Sequence, residues 1–281
     1  MNNLLHYIPI ATTILSIFFI ITLMKRAKAR GWPAHLVWWA VGVFFYGVGT
    51  ALESTITIHG NTLMLNRLWY WAGAILGAYP LATGSVYLLH KRKTANILTG
   101  VSLVVVIVAS VGVFLTPLVA ANLDIAKPDG NVIGWAWIRF PMTPAINIYA
   151  AIFLIGGAVV SSYRFFETPE MRLRAYGTAL VAIGATLPGI GGTMAKLGTS
   201  GSISEQGMVE VLYVGEFLGL ILMWWGFELC VRAPKPIAGY SRDRAQAGDE
   251  VGGNSPVLSG VDLEHKPDLV AVQLGDEGTD T

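Results

Sequence analysis

Seven apolar segments, each long enough to cross a lipid bilayer, constrain this chain more than any other feature of its sequence. A helix needs about 20 consecutive apolar residues to cross the hydrocarbon layer. Such segments occur at about 7–24, 35–57, 67–90, 95–119, 144–164, 172–195 and 208–231. Charged residues make up only 13% of the chain, whereas a soluble domain carries about a quarter. The sequence therefore predicts an all-α bundle of seven transmembrane helices in a multi-pass integral membrane protein whose main surroundings are the lipid bilayer.

Basic residues are distributed unevenly between the connections, and this predicts the orientation of the bundle. Connections 1–2, 3–4 and 5–6 and the segment after helix 7 carry 14 Lys and Arg residues, and the opposite side carries four. Because basic loops tend to stay in the cytoplasm, the N-terminus is expected outside and the C-terminus inside. We call the two ends of the bundle the predicted external end and the predicted cytoplasmic end.

The composition changes near residue 233, and this divides the chain into two parts. Residues 1–232 form the predicted seven-helix membrane domain. Residues 233–281 are rich in Pro, Gly, Ser and acidic residues, and nine of the 18 acidic residues lie in the last 40 positions. This composition predicts a disordered acidic cytoplasmic tail, which could bind a cytoplasmic partner protein. Nucleic acid is not among the expected partners.

Glu216 is the strongest candidate for a functional side chain. It lies near the middle of helix 7. Inserting an ionisable side chain at that depth costs ~2.5–3.5 kcal/mol, so its presence indicates a structural or functional role. Burial disfavours the charged carboxylate, so Glu216 is expected to be neutral at its depth. Tyr213 lies one turn away on the same face and could hydrogen-bond it. Glu216 could carry a proton, bind a ligand or form a structural hydrogen bond.

Further polar residues lie near the predicted external end. Glu53 is about one turn from the end of helix 2 and Arg67 opens helix 3, so an ion pair between them is expected. The pair could be a helix–helix clamp or part of a ligand site. Glu210 and Arg139 could join this cluster beneath the long connection 120–143, and Tyr70 is a further candidate ligand-binding residue.

Glycine and proline recur on one face of helices 3 and 6. Helix 3 contains Gly73, Gly77 and Pro80, and helix 6 contains Gly184 and Pro188. Small residues let two helices approach closely in a membrane, and a proline inside a helix frees a carbonyl group and kinks it. These residues are expected to pack helices together and to act as hinges beside a cavity.

The sequence contains no motif that predicts catalysis, a metal site or a cofactor. None of the histidines in the predicted membrane domain has a second ligand at a spacing of three or four residues, as a helical metal site needs. The single cysteine, Cys230, cannot form a disulfide within the chain. An enzymatic role is therefore not favoured.

Helices 2 and 3 contain a group of residues that carries a family resemblance. In chain order they are Trp39, Gly49-Thr50-Ala51-Leu52-Glu53, Arg67-Leu68-Trp69-Tyr70-Trp71-Ala72-Gly73 and Pro80. This region resembles the seven-helix input domain of bacterial membrane histidine kinases, in which Leu-Glu near the end of helix 2 is followed by aromatic-Gly and Pro in helix 3. No kinase sequence follows helix 7 here. The resemblance implies a stand-alone sensor in a bacterial cytoplasmic membrane that passes its signal to a separate protein.

These observations favour a sensor-like or receptor-like module of signal transduction. A small or lipophilic ligand would bind in an outward-facing pocket between helices 2, 3, 6 and 7. Two alternatives stay open. The first is a small-molecule or proton-coupled transporter that uses Glu216 as its titrating group. The second is an intramembrane lipid-modifying enzyme.

Overall fold

The fold was obtained as a computed structural model, which describes residues 4–197 and 205–233. The described residues are almost entirely helical, with no β-strand among them. Seven helices are long and apolar enough to cross a membrane, which confirms the predicted all-α multi-pass membrane fold. The helices are α1 (Ile8–Ala29), α2 (Ala34–His59), α3 (Leu63–Leu89), α4 (Arg92–Leu115), α5 (Ile138–Phe166), α6 (Arg172–Leu197) and α7 (Glu205–Arg232). The predicted tail lies outside the described residues, apart from Ala233.

Local signals explain where α2 and α3 begin and end. Pro33 directly precedes α2, and proline suits a helix start because its missing N–H group is not needed there. Gly60 ends α2 with φ +82°, a left-handed conformation that favours glycine. Thr62 then caps α3, since its hydroxyl group accepts a hydrogen bond from the Leu65 N–H at 3.2 Å. The two helices are therefore antiparallel neighbours with a short connection, as predicted.

Six of the seven helices form a closed ring of neighbours. Contacts link α1 to α2, α2 to α3, α3 to α5, α5 to α6, α6 to α7 and α7 back to α1. Helix α4 lies outside this ring and packs on α3 and α5. Its outward face carries Val101, Val104 and Val108, which are 65%, 61% and 45% exposed. An apolar face of this kind suits contact with lipid tails.

Helix α3 is interrupted at its centre. A π-helical turn covers Tyr70–Ile75, the helix breaks over 76–78, and an α-helix resumes at Tyr79 with Pro80 in its first turn. The break agrees with the expectation that Pro80 distorts this helix. The π-helical turn was not predicted, and such turns often occur beside functional sites.

Two buried asparagines attach the α4–α5 connection to the α2–α3 connection. The Asn66 amide donates to the Asp129 carbonyl oxygen at 2.8 Å and accepts from the Asp129 N–H at 2.8 Å. The Asn61 amide donates to Asn66 Oδ1 and to the carbonyl oxygens of Asp124 and Lys127. The long connection is therefore fixed on the bundle by side chains that the sequence analysis did not single out.

Candidate functional site

The side chains of Glu53 on α2 and Glu216 on α7 meet inside the bundle. Their carboxyl groups are hydrogen-bonding partners of each other, and Glu53 is only 2% exposed. A carboxylate has no hydrogen to donate, so a hydrogen bond between two carboxyl groups needs a proton on one of them. We call these two residues the carboxyl pair. A hydrogen bond between them therefore requires a proton that the two groups share; Glu53 is buried, and Glu216 is half-buried with a buried Oε2 atom.

Glu53 is oriented by a tryptophan at the start of the π-helical turn. The Trp69 indole N–H donates to Glu53 Oε1 at 2.8 Å. The other carboxyl oxygen, Glu53 Oε2, is buried and receives no other donor, and the same holds for Glu216 Oε2. Trp69 therefore holds one oxygen of Glu53 in place, and the second oxygen is buried beside it.

Tyrosines surround the carboxyl pair and join α2 to α7. The Tyr46 hydroxyl group donates to the Glu216 carbonyl oxygen at 2.8 Å. Tyr213 is 2% exposed and its hydroxyl group bonds the side chain of Thr57. The ring of His6 lies 6.4 Å from that of Tyr213, edge to face. The hydrogen bond expected from Tyr213 to Glu216 is not formed among the described residues, because the hydroxyl group of Tyr213 bonds Thr57 on α2.

The ion pair predicted between Glu53 and Arg67 is not formed in the structure. The Arg67 guanidinium instead donates to the Thr116 carbonyl oxygen at 2.6 Å. Arg67 and Trp69 are two positions apart, which places them about 200° apart around the helix. Trp69 faces Glu53, so Arg67 faces the α4–α5 connection.

Two of the remaining candidate residues at this end form hydrogen bonds with the α4–α5 connection or with the start of α5. The Arg139 guanidinium donates to Asn131 Oδ1 at 2.7 Å, and the hydroxyl groups of Tyr70 and Thr143 are 2.8 Å apart. The structure therefore separates the expected polar cluster into the carboxyl pair and a group of loop contacts. Glu210, the remaining member of the expected cluster, is partly buried on α7.

The predicted small residues allow close helix packing. An added Cβ atom at Gly184 would lie 2.6 Å from the Gly219 carbonyl oxygen, and Pro188 lies beside Gly219 as well. On α3, a Cβ atom at Gly77 would lie 2.5 Å from the Gly73 carbonyl oxygen, at the break in the helix. Gly184 and Pro188 thus bind α6 to α7, whereas Gly73, Gly77 and Pro80 surround the interruption of α3.

A cleft opens at the predicted cytoplasmic end, opposite the outward-facing pocket that the sequence suggested. Its cavity volume is about 70 Å³. Helices α3 and α6, which were expected to line the outward-facing pocket, contribute to the walls of this cleft instead. The basic residues Arg26, Arg30 and Arg174 line it together with His35 and Trp39. In the sequence, these arginines indicated only the orientation of the bundle.

The chain matches no protein-family model, no curated protein and no solved structure. The resemblance to sensor domains therefore stays a prediction, and the geometry of the chain alone carries the functional argument. Among the described residues, no three His, Cys, Asp or Glu side chains are grouped as a metal site would need.

Proposed function

We propose that this protein is a membrane sensor-like module whose input is the carboxyl pair. The observation that carries the proposal is the contact of two buried carboxyl groups, Glu53 and Glu216, from different helices. Loss of the shared proton would leave two negative charges facing each other, which is unfavourable away from water. A small ligand that donates hydrogen bonds could take the place of that proton. Either event would change the spacing of α2 and α7.

The surrounding contacts would carry such a change along α7. Gly184 and Gly219 hold α6 and α7 in close backbone contact, so the two helices are expected to move together. Helix α7 leads directly into residues 234–281, the predicted acidic tail. We propose that this end faces the cytoplasm of a bacterial cell and that a separate partner protein reads the signal there, as the resemblance to sensor domains implies.

A transporter is the second candidate, because the carboxyl pair and the cleft lie toward opposite ends of the bundle. Phe227 lines the cleft and is 11 residues after Glu216, or ~16 Å at 1.5 Å per residue. The layer between them is apolar and buried, and it includes Val43, Leu220 and Met223 at 0%, 1% and 6% exposure. A proton path would have to cross this layer, so we favour the sensor. No residue is proposed as catalytic.

The experiment that separates the two functions is reconstitution of the full chain into liposomes that contain a pH-sensitive dye. After a step in external pH, a sensor would change its Trp69 fluorescence without proton flux above that of empty liposomes. Subtraction of the Trp69→Phe spectrum would isolate that fluorescence from the other tryptophans. Glu53→Gln and Glu216→Gln should each abolish the pH response, and Glu228→Gln, which removes a carboxyl group paired with Arg232, should not.

Two results would contradict the proposal. Proton flux that is present in the wild type and lost in Glu216→Gln would make the protein a carrier. A Trp69 signal that responds identically to pH in the wild type and in both glutamine variants would show that the carboxyl pair is only a structural hydrogen bond.

A further inference from the structure

The cleft at the predicted cytoplasmic end is a second site, independent of the carboxyl pair. Three arginines line it, Arg26 and Arg30 from α1 and Arg174 from α6. Burial, followed by the charges of Arg26 and Arg174, lowers the pKa of Arg30. The Arg30 guanidinium is thus near enough to those of Arg26 and Arg174 to be repelled by both. None of the described residues that line the cleft is acidic, so its walls carry a concentrated positive charge.

A buried histidine adds a hydrogen-bonding group to the same cleft. His35 is 6% exposed, and its Nε2 atom has no hydrogen-bond partner in the structure. The ring is held edge to face against Trp39 at a centroid distance of 6.2 Å. A buried polar atom of this kind normally has a partner. A ligand in the cleft would supply one.

The cleft also has apolar walls. Leu36, Leu88, Val181 and Phe227 line it. The arginines lie at or near the ends of α1 and α6, where a bilayer has its headgroups, together with Leu36 and Leu88, whereas Val181 and Phe227 lie deeper, toward its acyl chains. The cleft therefore has a charged part at the level of the lipid phosphate groups and an apolar part at the level of the acyl chains.

We propose that this cleft binds a phosphate-bearing ligand, with the phosphate group between Arg26, Arg30 and Arg174 and any acyl chain along the apolar wall. Arginine binds phosphate through paired N–H donors, and basic pockets between transmembrane helices on the cytoplasmic side are suited to anionic headgroups. The shared chemistry is the phosphate group, which could belong to an anionic lipid or to a soluble phosphate ester.

The test uses the full chain in neutral detergent and native mass spectrometry with two lipids that differ only in the phosphate group, dioleoyl phosphatidic acid and dioleoylglycerol. We expect saturable binding of phosphatidic acid and much weaker binding of dioleoylglycerol. Glycerol 3-phosphate, added at increasing concentration, distinguishes the two sources. Competition at an affinity similar to that of the lipid indicates a soluble ester, and absence of competition indicates a lipid.

Matched variants on one helical turn localise the site. Arg26→Gln with Arg30→Gln removes two half-buried charges that line the cleft, and Lys25→Gln with Lys28→Gln removes two exposed charges beside them. At ~1 kcal/mol per basic residue near an anionic surface, the arginine variant should bind phosphatidic acid about thirtyfold more weakly. The lysine variant should change the affinity by less than about threefold, because exposed charges are screened.

His35→Gln provides a readout that does not remove charge from α1. It should weaken binding of phosphatidic acid while leaving the weak binding of dioleoylglycerol unchanged. Equal binding of the two lipids, or equal losses in the arginine and lysine variants, would overturn the proposal. Failure of both phosphatidic acid and glycerol 3-phosphate to bind would overturn it as well. None of these outcomes depends on whether the carboxyl pair senses a signal, so the two proposals fail separately.

Discussion

At the scale of single residues, the carboxyl pair makes the most specific chemical prediction. The contact of Glu53 with Glu216 needs one protonated carboxyl group at neutral pH. The infrared spectrum of the purified protein should therefore contain a carbonyl band of a protonated carboxylic acid that shifts in D₂O. The double variant Glu53→Gln, Glu216→Gln should lack this band. Glu228→Gln should keep it, because Glu228 is paired with Arg232. A band of unchanged intensity in the double variant would show that another acid carries the proton.

The sequence identified both members of this pair but not their contact. Their positions inside apolar segments marked them, because charge in lipid needs a reason. The sequence predicted an ion pair between Glu53 and Arg67, because a short connection joins their helices. Which faces of α2 and α7 meet depends on the rotation and packing of each helix, and a single sequence does not specify these. Trp69 was missed for the same reason, as an interfacial tryptophan is usually explained by the headgroup region.

At the scale of helices, the α6–α7 interface should tolerate no added methyl group. A Cβ atom at Gly184 would lie 2.6 Å from the Gly219 carbonyl oxygen and 2.9 Å from Met223 atoms. Gly184→Ala should therefore lower the free energy of unfolding by ~1–3 kcal/mol, as overpacking does. Gly189→Ala, in the same helix, is the control: an added Cβ atom there would have no neighbour within 4 Å, so the thermal midpoint should stay close to that of the wild type. Equal thermal midpoints for the two variants would show that α6 and α7 can move apart without loss of stability.

The connection between α4 and α5 should loosen when Asn66 is removed. Asn66 is 0% exposed and holds the backbone of Asp129 through both its amide nitrogen and its oxygen. Asn66→Ala removes both hydrogen bonds and leaves the partly buried Asp129 N–H without its partner, at a cost of ~1–3 kcal/mol. Hydrogen exchange over 120–133 should accelerate, while exchange within α4 should not change. Asn122→Ala, which removes a single exposed hydrogen bond to Asn131, should have little effect.

The sequence predicts which segments are helical better than it predicts the shape of each helix. Length and hydropathy identify all seven spans because lipid demands long apolar helices. Near the start of α5 the backbone of Phe140 is extended (φ −155°, ψ 121°), and the α-helix proper begins at Thr143, one residue before the predicted span. No sequence signal predicted the π-helical turn at Tyr70–Ile75.

At the scale of the whole molecule, the same arginines serve two purposes. Arg26, Arg30 and Arg174 were counted among the 14 basic residues that orient the chain, and the structure places all three around one cleft. If the positive-inside rule holds here, this cleft faces the leaflet in which anionic lipids are most abundant. The orientation and the proposed phosphate site are thus consistent with each other, and the two share these three arginines.

The orientation itself can be tested with single cysteines, because the chain has only Cys230. In a Cys230→Ser background, Ala121→Cys places an exposed thiol on the α4–α5 connection, and Lys91→Cys places one between α3 and α4. A membrane-impermeant maleimide added to intact cells should label Ala121→Cys and leave Lys91→Cys unlabelled until the membrane is opened. The reverse labelling pattern would show that the bundle has the opposite orientation in the membrane. The arginine-lined cleft would then face away from the cytoplasm, and the carboxyl pair would lie nearer the cytoplasmic side. A sensor of this orientation would respond to internal rather than external conditions, so this measurement fixes which compartment the carboxyl pair can report on.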